Sequence, residues 1–149
     1  MSGGHKKEPG RQADYPFRVD VQTRWSDNDM FGHLNNVVYQ RFFEHVVVAF
    51  LRGPCGIDLL NSPVITFAAE TQCRFIRPLS YPTGVVAGIR IDHMGRTSAR
   101  YGLALFEAGA DEAAAEGHWI HVFVDRASQR PVPIPDTVRA VFERHRRIS

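Results

Sequence analysis

The chain has 149 residues, 44% of them hydrophobic and 23% charged, which fits one globular domain with its own core and excludes disordered, collagen-like and disulfide-scaffold chains. Its 18 basic and 16 acidic side chains leave a net charge of +2, too balanced to point to nucleic acid. Cys55 and Cys73 are too few for a disulfide framework or a four-ligand zinc site, and no run reaches the roughly eighteen apolar residues of a membrane span.

Residues 1–14 are polar, with Gly3, Gly4, Pro9 and Gly10 set among charges. They predict a mobile leader ahead of a single domain at 15–149. The first fifteen residues hold no apolar stretch, so no signal peptide is expected, and the default is a cytoplasmic protein with reduced thiols. Phe17, Val19, Val21, Thr23 and Trp25 alternate with Arg18, Asp20, Gln22 and Arg24, which predicts a half-buried strand over 17–25. A polar loop, 26–36, follows.

A helix is expected over 37–52, capped by Asn35 or Asn36 and stopped by Gly53-Pro54. Its apolar residues wrap nearly the whole circumference, which predicts burial on all sides. Val46-Val47-Val48 has poor helix propensity and makes a strand the competing assignment; length and caps decide for helix. The second half reads as strands over 71–76, 85–91, 97–105 and 119–125, with turns at 93–96 and 108–112. Pro131, Pro133 and Pro135 predict an extended connection, and Asp136 opens a short helix with a basic end. The layout is α+β: an antiparallel sheet curled around one apolar helix. Such a sheet leaves an edge strand unpaired, and edge-to-edge dimerisation would cover it.

Chemistry concentrates in the loop before the helix. Residues 24–39 read RWSDNDMFGHLNNVVY. Asx-rich loops before helices often only cap, and that plain reading stands beside a catalytic one. Free N–H groups at a helix N-terminus can polarise a carbonyl, and a carboxylate a few residues upstream can attack it or activate water beside it.

The block Asp27-x-Asp29-x-x-Gly32-His33-x-Asn35-Asn36-x-x-Tyr39 resembles the signature of hot-dog-fold acyl-CoA thioesterases, in particular the 4-hydroxybenzoyl-CoA thioesterase subgroup. Arg77-Pro78, the turn Gly95-Arg96-Thr97-Ser98, Ala115-Glu116-Gly117 and the strand Val122-Phe123-Val124-Asp125 extend the resemblance. It implies a hot-dog fold, an acyl-CoA substrate, no cofactor and active sites at the interface of a homodimer that can pair into a tetramer; the spacing of the histidines and cysteines independently predicts no metal site. It matches the catalytic carboxylate to Asp29, as general base or nucleophile, and the oxyanion contact to the backbone at Asn36. Some members carry His or Tyr where this chain has Asn36, so a backbone role is what carries over. His33 shapes the loop or assists Asp29.

Tyr39 is assigned to substrate binding, with packing the stronger bland reading. Glu44, mid-helix, is expected to pair with Arg41. His45, His93, His118 and His121 have no ligand spacing, and His118 and His121 should point to opposite faces of a strand. Phe42, Phe43, Phe50, Phe67 and Phe75 line an acyl tunnel or fill the core. Two further functions compete with thioester hydrolysis. One is a hot-dog enoyl-CoA hydratase or dehydratase using Asp29 and His33, although the Asn-Pro that follows the hydratase aspartate is missing. The other is a non-catalytic acyl-CoA binding module, against which Asp29 argues.

Overall fold

The computed structural model describes residues 8–147. In chain order the elements are strand Phe17–Val21 (β1), helix Asn36–Arg52 (α1), strands Val64–Phe75 (β2), Val85–Met94 (β3), Ser98–Glu107 (β4) and Ala115–Asp125 (β5), and helix Asp136–Arg144 (α2). The strands form one antiparallel sheet in the order β1-β3-β4-β5-β2. The sheet curls around α1, which is the α+β hot-dog arrangement that the resemblance implies.

Period-2 alternation sets the faces. Ala87, Ile89 and Ile91 of β3 and Leu103 and Leu105 of β4 are buried in one core with Phe42, Phe43, Val46, Val47, Phe50 and Leu51 of α1. Each large side chain buried this way is worth about 1.5–3 kcal/mol in transfer free energy. That packing outweighs the poor helix propensity of the three valines. Asn35 caps the helix by accepting from Val37 N–H at 3.1 Å, and the Gly53 N–H closes it on Ala49 O at 2.9 Å. At Gly117 of β5 a Cβ would strike the Gln72 carbonyl of β2 and lie 2.8 Å from the Phe43 ring. Only glycine fits where these three elements meet.

Four expectations change. β1 stops at Val21, because Arg24 to Asp27 fold into a 3-10 turn in which Arg24 N–H donates to the Asp27 carboxylate at 2.7 Å. β2 starts seven residues before Thr71, at Val64, with its register shifted between Ala68 and Glu70. α1 is not buried on all sides: Val37, Arg41, Glu44 and His45 form an exposed stripe. Arg41 therefore does not pair with Glu44; it reaches back to Asp27 at 2.7 Å.

The expected leader, 1–14, divides. Residues 1–7 lie outside the described residues. From Gly10 on, the segment is docked on the sheet face opposite α1. Gly10 N–H and the Tyr15 hydroxyl both donate to Glu116, at 3.2 and 3.1 Å, and Arg11 pairs with Asp111 at 3.1 Å. Polar contacts and the one buried Tyr15 ring, set edge-on to Phe106, do this work, so no apolar pattern announced it. At the other end, the chain after α2 adds a short parallel bridge to β3, with Arg147 N–H donating to Ile91 O at 2.9 Å.

Candidate active site

The loop between β1 and α1 is fixed at both ends by Asp27. This carboxylate is 1% exposed; one oxygen accepts from Arg41 at 2.7 Å and the other from Arg24 N–H at 2.7 Å. Its carbonyl accepts from Asn35 N–H at 2.8 Å, which closes the loop on itself. Burial pushes the Asp27 carboxyl up, but the Arg41 hydrogen bond and the Arg24 N–H outweigh it and hold the group below the usual carboxylate range.

Asp29 is placed differently. It is half-buried, and one oxygen, Oδ1, accepts from Phe31 N–H at 2.8 Å and His33 N–H at 3.3 Å. Its other oxygen has no hydrogen-bond partner among the described residues. Gly32, at φ +82°, supplies the left-handed turn that folds those two N–H groups onto the carboxylate. Asp29 N–H donates to His33 O at 2.7 Å, so the loop is a closed ring of main-chain bonds.

Asp29, His33, Asn36 and Tyr39 line one cavity of about 280 Å³, completed by Leu34, Phe75, Ile76, Arg77 and Pro78. At its base lies the start of α1. Asn35 satisfies Val37 N–H and Val38 N–H, whereas Asn36 N–H has no partner among the described residues. The Tyr39 hydroxyl accepts from Leu79 N–H at 3.2 Å, and its ring meets Phe75 edge-on at 4.9 Å. Tyr39 thus supports the cavity wall with its hydroxyl engaged by protein. Arg77 contributes the cavity's one cation among these lining residues, weakly paired with Glu112 at 3.5 Å. The sequence pointed to Arg77 only as part of a family motif, and Phe75 only among five phenylalanines.

Of those five, Phe42, Phe43 and Phe50 are core, and Phe67 is exposed on the sheet face away from α1. Phe75 is the one of the five that lines the Asp29 cavity. His33 meets Asp29 through its main-chain N–H, with no hydrogen bond between its ring and that carboxylate. His118 and His121 do face opposite ways: His118 lies between Glu70 and Arg100, and buried His121 shares a hydrogen bond with the Tyr101 hydroxyl at 3.1 Å. Burial pushes the Cys73 thiol up to about 11, which keeps it protonated and a poor nucleophile. A larger open groove of about 810 Å³ runs between β1 and α1, but neither Asp29 nor the helix N-terminus lines it.

Residues 23–142 match the Thioesterase-like superfamily. The chain belongs to that superfamily. Membership accounts for the sheet and central helix. The PA5185 protein of Pseudomonas aeruginosa shares 35% identity, covering 95% of this chain and 99% of that one, with a TM-score of 0.91. A Thermus thermophilus thioesterase, solved with coenzyme A and zinc, shares 27% identity over 88% of this chain and 94% of that one, with a TM-score of 0.77. The acyl-acyl carrier protein thioesterase ATL3 of Arabidopsis thaliana is 28% identical over 83% of this chain and 66% of its own. The chain spans less than two thirds of the length of the curated relatives it matches.

Proposed function

We propose that the protein is an acyl-CoA thioesterase of the 4-hydroxybenzoyl-CoA thioesterase subgroup, with Asp29 as the catalytic carboxylate. The observation that carries this reading is that Asp29 and Asn36 line one cavity while, among the described residues, one Asp29 oxygen and the Asn36 N–H have no hydrogen-bond partner. The thioester carbonyl oxygen lies on Asn36 N–H, which is aimed at the charge that develops as the carbonyl becomes tetrahedral. Asp29 takes a proton from water as the water oxygen bonds to the carbonyl carbon. The intermediate collapses, the carbon–sulfur bond breaks, and the proton passes to the departing thiolate. Direct attack by Asp29, through a mixed anhydride, uses the same geometry; label entering Asp29 from heavy-oxygen water in a single turnover is specific to that route, with water opening the anhydride at the aspartyl carbonyl.

The hydratase alternative needs an Asp–His side-chain pair, and here His33 binds Asp29 by its backbone. Coenzyme A as carrier is supported by the Thermus thermophilus relative, solved with that molecule; the Arabidopsis relative makes acyl carrier protein thioesters the comparison to run. The working unit in this reading is a homodimer joined along β2, the long unpaired edge, and its location is the cytoplasm. No helix among the described residues is long and apolar enough to cross a membrane. The test is free-thiol release across a panel of acyl-CoA and acyl carrier protein thioesters. Release from acyl-CoA, abolished in Asp29→Asn, is expected. Change of enoyl absorbance without thiol would move the assignment to the hydratase, and saturable binding without turnover to the binding module.

A further inference from the structure

The cavity around Asp29 has a wall that ends at the sheet edge. Phe75, Ile76, Arg77 and Pro78 come from the last residue of β2 and the segment after it, and Phe75 is still 48% exposed. On the loop beside them Met30 and Phe31 are 90% and 76% exposed. Apolar surface of this kind next to a reactive carboxylate is costly to leave in water.

β2 itself is an open edge, with residues 67–72 all exposed. Antiparallel pairing of two copies about the middle of this strand sets Val64 of one opposite Phe75 of the other. The chain just before one β2 then runs beside the chain just after the other. The bulky apolar residue in that preceding stretch is Leu60, which is 83% exposed. It is presented by a stiff turn. Leu60 N–H donates to Asp58 at 3.0 Å, and Arg126 donates to the carbonyls of Leu59 and Ser62, both at 2.8 Å. Leu60 shares a hollow with Val48 and Arg52 of α1, so it stands on the helix side of the sheet, as the cavity does.

We infer that Leu60 of one subunit closes the acyl side of the Asp29 cavity of a second copy, and so sets which acyl groups fit. This rests on the thioesterase reading and on pairing along β2. The acyl group, leaving a carbonyl held at Asn36, passes along the Phe75 edge and meets Leu60 supplied in trans. Each site thus takes its acid from one chain and its acyl stop from the other.

The test mixes subunits. A Leu60→Trp homodimer should turn over long acyl-CoAs less well relative to short ones, by at least about tenfold, the scale of one methylene in an apolar pocket. Differently tagged Leu60→Trp and Asp29→Asn subunits are co-expressed, and the heterodimer is purified through both tags. It holds one site with Asp29 and, in trans, Leu60, so it should show the wild-type acyl profile at about half the wild-type rate per dimer. A heterodimer with the Leu60→Trp profile would place Leu60 in its own subunit's site and overturn the inference. An unchanged profile in the Leu60→Trp homodimer would also overturn it, as would a stable monomer by light scattering. Should the Asp29→Asn homodimer stay active, the catalytic assignment falls instead. In that case a short bismaleimide linking a Leu60→Cys subunit to an Arg77→Cys subunit decides the placement of Leu60: a crosslinked pair of unlike chains supports it, and none overturns it.

Discussion

Asp27 and Asp29 stand two residues apart on one loop and are held in opposite ways. Asp27 has both oxygens occupied by Arg41 and Arg24, and hardly any contact with water. Asp29 has one oxygen held by two backbone N–H groups, no partner for the other among the described residues, and a place in the wall of a cavity. Chemistry is available only where hydrogen-bonding capacity is left over. A fully satisfied carboxylate is a strut, and a half-satisfied one held in a fixed direction is a reagent.

The strongest break in that contrast is Asp29→Asn. The amide keeps the shape and can still accept from Phe31 and His33, but it has no charge and no basicity. Turnover should fall by roughly two orders of magnitude or more, with the urea midpoint little changed. A fall of only a few-fold would end the assignment.

Acid sharpens the comparison by separating folding from chemistry. Burial pushes the His121 imidazole down from 6.5 to about 4. The unfolded chain therefore binds a proton that the folded chain refuses. His121 contributes its full stability above about pH 6.5 and loses it as pH falls toward 4, by about 3 kcal/mol across that window. Denaturant titrations at pH 7 and pH 5 should show about 2 kcal/mol of this loss in the wild type and a shallower one in His121→Gln. Activity lost in that range at constant folded fraction belongs to the site, and only that part.

Asp27→Asn should do the reverse of Asp29→Asn. It removes the charge facing Arg41, whose side chain is partly solvated, so about 1–2 kcal/mol of stability is expected to go. Turnover of the folded fraction should fall less than about tenfold. If the two variants give the same pattern, the loop works as a unit and the division of labour is wrong. The smallest effect concerns the leader. Deleting residues 2–13 removes the Gly10 contact with Glu116 and the Arg11–Asp111 pair, mostly exposed interactions worth about 1 kcal/mol together. A drop in Tm of about 2–4 °C with unchanged turnover is expected, against the zero effect that the polar composition alone suggests.

What the sequence made legible was local. The loop residues that share the cavity lie within one short block, and the caps of α1 lie beside it, so the resemblance carried by that block named Asp29, His33, Asn36 and Tyr39 together. What it hid was distant or polar. Arg41 finds Asp27 fourteen residues back, a contact that helix spacing cannot forecast. The first half of β2 was lost because the bulge at Ala68/Glu70 breaks the two-residue period that marks a strand. The docking of residues 10–15 depends on Glu116, about a hundred residues away. Phe75 and Arg77 entered the cavity by folding, from the far end of a strand whose start was not visible.

The missing side chain at Gly117 gives the molecule a fixed clearance. The neighbouring strand and the Phe43 ring both press against the space where a Cβ would be, so β2 cannot shift inward without meeting the helix. Phe43 lies one helical turn beyond Tyr39, and Tyr39 supports the cavity wall through Leu79. The outer edge of the sheet and the floor of the cavity are therefore gauged against the same point. Adding a single methyl at Gly117 would act as a shim: it would push the edge strand outward and tilt the helix, changing the spacing of the cavity without altering the identity of any residue that lines it.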